Sequence, residues 1–322
     1  MKILITGATG FIGSYLLSKL IAEGHSIAIL IRNESDYWRI RELISECHVI
    51  YGNYDTIENC ENEILSYNPE VVYHIGWSGV GNDQRNNDTM VTKNINSTLA
   101  LAKILIKSNV KTFIGLGSQA EYGPYYSAIN ESYATNPTTL YGIAKLSAYN
   151  ILKYYLEKSN IRFCWLRLFS SYGPKDNDIW LIPYLTNSIS KGIKPSLTKG
   201  EQIWDYIYID DVITALLAVG FSNNASGVYN LGSGIGHSLK KIITIIRDKV
   251  NPKVELGFGE VPYRNDQVMV LKADNTRLCL ETGWTPETYI NEGLEKTINW
   301  FLTFKKNKIC NLIIVDCAST MN

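Results

Sequence analysis

The chain opens on MKILITGATGFIG, where Gly7, Gly10 and Gly13 follow a β-branched run and lead directly into a helical pattern. Few local patterns restrict a fold as strongly. A strand that turns through glycines into a helix gathers free N–H groups and the positive end of the helix dipole at one point. The first glycine permits the tight turn, the second lets a pyrophosphate approach the backbone, and the third lets helix and strand pack closely. The spacing is GxxGxxG rather than GxGxxG. The expectation is a βα unit that holds the diphosphate of a dinucleotide, with Phe11 and Ile12 between the glycines forming part of the cradle.

The pattern then repeats. Ser26 to Ile31, Val71 to Ile75, Lys111 to Leu116 and Arg162 to Leu168 read as strands like Lys2 to Thr6. Helical patterns lie between them over Phe11 to Glu23, Asn94 to Lys107 and Tyr141 to Ser159. Strand and helix at this rhythm predict an α/β fold, a doubly wound parallel Rossmann sheet with helices on both faces. ILIT, IAILI and VVYHI are apolar throughout, as strands covered on both faces should be. After about Leu168 the rhythm loosens around Pro174, Pro183 and Pro195. Tyr206 to Ile209 and Val228 to Leu231 read as strands returning to the sheet, and Ser238 to Val250 as a helix. The expected division is a dinucleotide-binding domain over 1–168 and about 205–235, with a smaller C-terminal substrate-binding domain over 169–204 and 236–304. A terminal helix should end near Trp300 and Phe301, leaving an appended tail over 305–322 whose KKNKICNLIIVDC contains a basic patch and a strand-like apolar piece.

Composition removes several function classes. Lys plus Arg and Asp plus Glu both number 31, so the basic excess typical of nucleic-acid or membrane-surface binding is missing. No apolar run approaches the ~18 residues needed to cross a bilayer. The glycines interrupt the N-terminus too early for a signal-peptide core, so a cytoplasmic, reducing location is expected. The six cysteines form no CxxC pair and no metal-ligand spacing, so no metal is expected and reduced packing thiols are.

Two further positions carry chemistry. At the end of the second strand an acid would bind a free ribose 2′-hydroxyl and repel a 2′-phosphate. Ile31, Arg32 and Asn33 stand there instead, and a guanidinium suits a phosphate, so NADP (NADPH) is favoured, with NAD possible. Arg32 could otherwise be a solvated charge or stack on adenine. Tyr141 and Lys145, in YGIAK, share one helix face at i, i+4. A nearby ammonium favours a phenolate, which would let Tyr141 exchange a proton near neutral pH. Ser118, in GLGSQAEYG, ends the preceding strand, and strand ends of one parallel sheet converge on one crevice.

Taken together, these residues resemble the extended short-chain dehydrogenase/reductase family of nucleotide-sugar epimerases, dehydratases and reductases. The resemblance covers roughly residues 1–301. It runs through TGATGFIG, VVYHIG, Asn94, GSQAEYG, YGIAK, RLFSSYGP, GEQIWDYIYIDDV, YNLGSG and GWTP. It implies a bound nicotinamide cofactor, a nucleoside-diphosphate sugar as substrate, and a homodimer through the helices over 94–107 and 141–159. Ser118 would hold the sugar oxygen, Tyr141 would move the proton, and Lys145 would bind the nicotinamide ribose and tune Tyr141. Asn53, Tyr54, Ile75, Gly76 and Asn94 would join the glycines and Arg32 around the cofactor. Trp77, Gln119, Ser170, Trp204 and Arg264 would line the substrate site. Trp77 could equally cover the sheet edge, and Asp210 or Asp211 would serve architecture.

The departures from the family pattern narrow the reaction. The family's 4,6-dehydratases carry Asp-Glu after the catalytic Ser or Thr. Gln119 and Ala120 stand there, and an amide and a methyl cannot serve as acid and base. The family's Asn in RxFNxYGP is Ser170, and its Arg before the DY pair is Trp204, which leaves Arg264 to carry more of the diphosphate binding. The reading is an NADPH-dependent reductase of a nucleotide-linked 4-keto-6-deoxyhexose, similar to those that make D-fucose or abequose for bacterial surface polysaccharides (O-antigen). A 4-epimerase with retained NAD is the main rival. A dinucleotide-binding sensor without catalysis is the second.

Overall fold

Two strand-to-helix turns meet at the centre of the molecule and decide where a ligand can sit. The computed structural model describes residues 1–81, 84–264 and 267–319, with the side chains of 54, 55 and 305–319 outside that description. The first part of the chain alternates β1 (Lys2–Thr6), α1 (Phe11–Ala22), β2 (Ser26–Ile31), β3 (His48–Tyr51), α2 (Glu61–Tyr67) and β4 (Val71–His74). It continues through α3 (Asp88–Leu105), β5 (Thr112–Ser118), α4 (Leu140–Lys158) and β6 (Arg162–Leu168). Then come β7 (Ser170–Tyr172), α5 (Leu181–Ser190), β8 (Ser196–Leu197), β9 (Ile203–Tyr208), α6 (Ile209–Phe221) and β10 (Gly227–Leu231). The last elements are β11 (Gly236–Ser238), α7 (Leu239–Val250), β12 (Gly257–Phe258), β13 (Val270–Leu271), α8 (Thr276–Thr282) and α9 (Ile290–Ser319).

Seven parallel strands form the central sheet in the order β10-β6-β5-β4-β1-β2-β3. This is the expected doubly wound Rossmann arrangement. The strand order reverses between β1 and β4, and in open α/β sheets that switch point opens a crevice at the carboxyl ends of the strands. Gly7 sits there with φ +78°, and a Cβ on it would lie 2.5 Å from the Gly76 nitrogen of the turn after β4. A Cβ on Gly13 would lie 2.1 Å from the Gly7 carbonyl. Both glycines therefore allow the close backbone approach read from the sequence.

The two faces of the sheet bury separate apolar layers. On one face, Leu101 and Leu105 of α3 and Ala148 and Leu152 of α4 pack on Leu4, Val72, Phe113 and Trp165. On the other, Leu16, Leu17 and Leu20 of α1 and Val212, Ile213 and Leu216 of α6 meet Ile3, Ile5 and Ile29. Each such Leu, Ile, Val or Phe side chain contributes roughly 1.5–3 kcal/mol relative to exposure. This second layer continues without a break into Ile182 and Leu185 of α5, Ile207 of β9, Ile242 and Ile246 of α7, and Leu294 and Ile298 of α9. The smaller C-terminal part thus shares its core with the Rossmann sheet, which fixes the two walls of the crevice against each other.

Three expectations are corrected. Tyr206 to Ile209 does not return to the central sheet. Residues 203–208 form β9, which pairs with β7, β11 and β13 in a second sheet. β9 is instead paired along its length by β7, β11 and β13, while the central sheet ends at β10 and β3. His48–Tyr51 adds an edge strand, β3, that the pattern did not reveal. The apolar piece of the tail is not a strand: α9 runs through it to Ser319, and no Gly or Pro after Gly293 interrupts it. Asp211 does serve architecture, its carboxylate accepting the backbone N–H groups of Glu287 and Thr288.

Candidate active site

A cleft of about 940 Å³ runs along the carboxyl ends of the strands. Its floor begins at the glycine turn. Gly10 caps α1 in extended conformation and is exposed, so it leaves room above the helix start. The first-turn N–H groups of Phe11, Ile12 and Gly13 have no intrahelical acceptor and face an approaching ligand. All four residues line the cleft. A dinucleotide diphosphate fits this cradle, since its anionic oxygens match those donors and the helix dipole.

Arg32 lies exposed at one end of the cleft, and its backbone is pinned by Ser35, whose hydroxyl accepts the Arg32 N–H at 3.2 Å. Ile75 and Gly76 also line the cleft. Asn94 does not. Its amide nitrogen donates to the carbonyls of Ser78 and Met90, and its oxygen accepts the Ser78 N–H at 2.9 Å. It shapes the loop after β4 from behind, as a buried amide with its partners already fixed. Asn53 follows the cleft-lining Gly52 without lining the cleft itself, and the Tyr54 side chain lies outside the described residues.

Ser118, Tyr141 and Lys145 come together midway along the cleft. Ser118 ends β5, and Tyr141 begins α4, capped by the Thr139 hydroxyl. The loop after β4 completes that helix start: the Tyr141 N–H donates to the Arg85 carbonyl at 2.9 Å and the Leu140 N–H to the Asn86 side chain at 3.1 Å. Burial raises the Tyr141 pKa above the usual tyrosine value, while the Ser118 hydroxyl, within hydrogen-bonding reach, and the Arg85 guanidinium pull it back. The expected effect of Lys145 is not the dominant one here. Its ammonium donates to the Leu116 carbonyl at 2.7 Å and sits 3.7 Å from the centre of the Trp77 ring. Burial lowers the Lys145 pKa, and the nearby Glu121 carboxylate opposes that shift. Trp77 thus covers Lys145 and packs edge-on to Tyr141, with ring centres 6.3 Å apart.

Beneath Ser118 lies a group that the sequence reading missed. Glu121 is fully buried. Its carboxylate accepts from the Ser118 N–H at 2.8 Å, the Arg167 Nε at 2.8 Å and the Trp165 indole at 3.0 Å. With Ser118 it forms a capping box on the single turn after β5. The S-x-x-E spacing in SQAE was the available signal. Gly117 is required here, because a Cβ on it would lie 2.2 Å from the indole nitrogen.

The other end of the cleft is lined by Gln119, Ser170, Trp204 and Arg264. Trp204 comes from β9, and its indole donates to the Val268 carbonyl at 3.0 Å. The second sheet therefore supplies this wall. Among the described residues no group of three His, Cys, Asp or Glu side chains could hold a metal ion. Cys47, Cys60, Cys164 and Cys279 are free thiols, and Cys310 and Cys317 fall outside the described side chains. No helix among the described residues is long and apolar enough to cross a membrane.

Comparison with known proteins agrees with this geometry. The chain is 29% identical over 305 residues to CDP-abequose synthase of Salmonella muenchen, covering 92% of this chain and 97% of that protein. It is 27% identical over 308 residues to dTDP-4-dehydro-6-deoxyglucose reductase of Escherichia coli, covering 92% and 96%. The structure of a UDP-glucose 4-epimerase from Thermotoga maritima with UDP-glucose superposes with a TM-score of 0.85 at 26% identity, over 94% of this chain and 99% of that one. These relatives share nucleotide sugars and differ in reaction. The glycine turn at the switch point, the seven-stranded order and a match of residues 3–232 to the family's sequence profile lead to one conclusion: the chain belongs to the NAD-dependent epimerase/dehydratase family.

Proposed function

We propose that the protein reduces the C4 keto group of a nucleoside-diphosphate 4-keto-6-deoxyhexose with NADPH. The supporting observation is the gathering of Ser118, Tyr141 and Lys145 in one cleft that has a phosphate cradle at one end and Trp204 and Arg264 at the other. When bound, NADPH supplies the hydride of the reduction. Tyr141 donates the proton to the oxygen at C4. Ser118 hydrogen-bonds that oxygen as charge develops on it. Lys145 would bind the nicotinamide ribose, and Arg264 would hold the sugar diphosphate. Gln119 and Ala120 offer no acid–base pair beside the sugar, which argues against elimination of water. The naming of two relatives as a CDP-abequose synthase and a dTDP-4-dehydro-6-deoxyglucose reductase supports the same chemistry. A homodimer would use the outer faces of α3 and α4, near the exposed Ile143 and Tyr154.

The test follows nicotinamide absorbance on mixing the protein with NADPH or NADH and 4-keto-6-deoxy sugars linked to dTDP, CDP, GDP or UDP. Stoichiometric NADPH oxidation with one of them is the expected result. The second reading, a 4-epimerase with retained NAD, is favoured by the Thermotoga maritima structure. Copurified NAD that does not exchange, with no net oxidation, would establish it instead.

Arg32 supplies a separate prediction. Its exposed guanidinium lies at the cleft end where an acid would otherwise select a free 2′-hydroxyl. Arg32→Ala should weaken NADPH by about tenfold or more, the order of one charge-assisted hydrogen bond, and NADH much less. Equal losses in a fluorescence titration would remove the case for NADP.

A further inference from the structure

Tyr141 faces a second cation that neither its helix nor its motif provides. The Arg85 guanidinium lies over the Tyr141 ring, 5.4 Å from its centre, and Arg85 lines the cleft beside it. The Arg85 Nε is buried and has no hydrogen-bond partner, so it is not tied into a structural ion pair through that atom. The Arg85 carbonyl meanwhile accepts the Tyr141 N–H, which fixes loop and helix together through the backbone. Lys145, the cation on the same helix face, is turned onto Trp77 and the Leu116 carbonyl.

We propose that Arg85 is a positioning residue for the proton transfer, whose guanidinium stabilises the Tyr141 phenolate across the ring face and shares that task with Lys145. A cation over an aromatic face is attracted by the ring's electron density, and the attraction grows when the ring becomes an anion. The groups facing Tyr141 are few. The Ser118 hydroxyl at the end of β5 favours ionisation of the phenol, and Glu121 in the turn after it opposes ionisation. Lys145 belongs to α4 itself, Lys93 of α3 lines the same cleft, and Trp77 is uncharged. Burial holds the phenol up, and Arg85 is the cation that counters it.

The inference rests on Tyr141 as the proton donor, and its test does not need turnover. Phenolate formation at Tyr141 is read as the difference in ultraviolet absorbance between each protein and its Tyr141→Phe counterpart, across the alkaline range. Arg85→Met should raise the Tyr141 pKa by about one unit, leaving about tenfold less phenolate at any pH on the foot of the titration. Arg85→Lys should return most of it. The backbone bond to Tyr141 survives either change, and Arg85→Gln replaces Arg85→Met should the latter not fold. A titration unchanged in Arg85→Met would overturn the proposal, as would an Arg85→Lys titration no nearer the wild type than that of Arg85→Met. If the wild-type protein reduces no sugar nucleotide, the reading of its function fails while the titration still judges Arg85.

Discussion

Replacing Tyr141 by Phe is expected to lower turnover by about 10²–10⁴-fold, the usual contribution of a positioned general acid. The substitution removes one oxygen and leaves the ring between Trp77 and Arg85. The glycine cradle is untouched, so dinucleotide affinity should stay within a few-fold. That split separates loss of chemistry from loss of structure, and stopped-flow reduction together with a cofactor titration would measure it. Turnover within tenfold of wild type would remove Tyr141 from the mechanism. The pH dependence follows from the same group. Tyr141 must be protonated to donate, and burial raises its pKa, so the rate should hold through neutral pH and fall only as the phenolate forms on the alkaline side.

Glu121→Ala should destabilise the protein by about 3–5 kcal/mol, the range for removing one partner of a buried ion pair. Three donors lose their acceptor at once: the Ser118 backbone, the Trp165 indole and the Arg167 guanidinium. Arg167 is buried against the ring of Tyr122, 4.3 Å away, and cannot reach water without repacking β6. Replacing both charges, as in Glu121→Leu with Arg167→Met, should recover part of the loss, because no uncompensated charge then remains. Denaturant unfolding of the single and double variants would measure this. A loss under about 1 kcal/mol for Glu121→Ala would mean that Arg167 finds another partner. Since the carboxylate also holds the Ser118 backbone, the single variant should lose activity even where it remains folded.

Some of this was open to reading in one dimension. β1, β2 and β6 have the bounds read from the sequence, because strands covered on both faces are built around apolar stretches such as ILI and IAILI. Gly7 and Gly13 could be assigned because their reason is local, a backbone approach that any Cβ would block. Strand-end position and helical spacing singled out Ser118, Tyr141 and Lys145, and all three line one cleft.

The remaining features depend on partners far away in the sequence. Tyr206 to Ile209 reads as a strand, but only the pairing of 203–208 with β7, β11 and β13 places it in a second sheet. Asn94 has the side chain of a ligand-binding amide, and its hydrogen bonds to Ser78 and Met90 place it behind the wall. Arg85 lies in a polar loop without periodicity, so nothing in its neighbourhood predicts that α4 will carry Tyr141 beneath it. Adjacent residues alone foretold most strands of the central sheet and the glycine turn, and they pointed to Ser118, Tyr141 and Lys145, because the causes are local patterns. Which charges face the phenol was set by the folded arrangement, because Coulomb energy depends on distance in space, and chain separation does not report it.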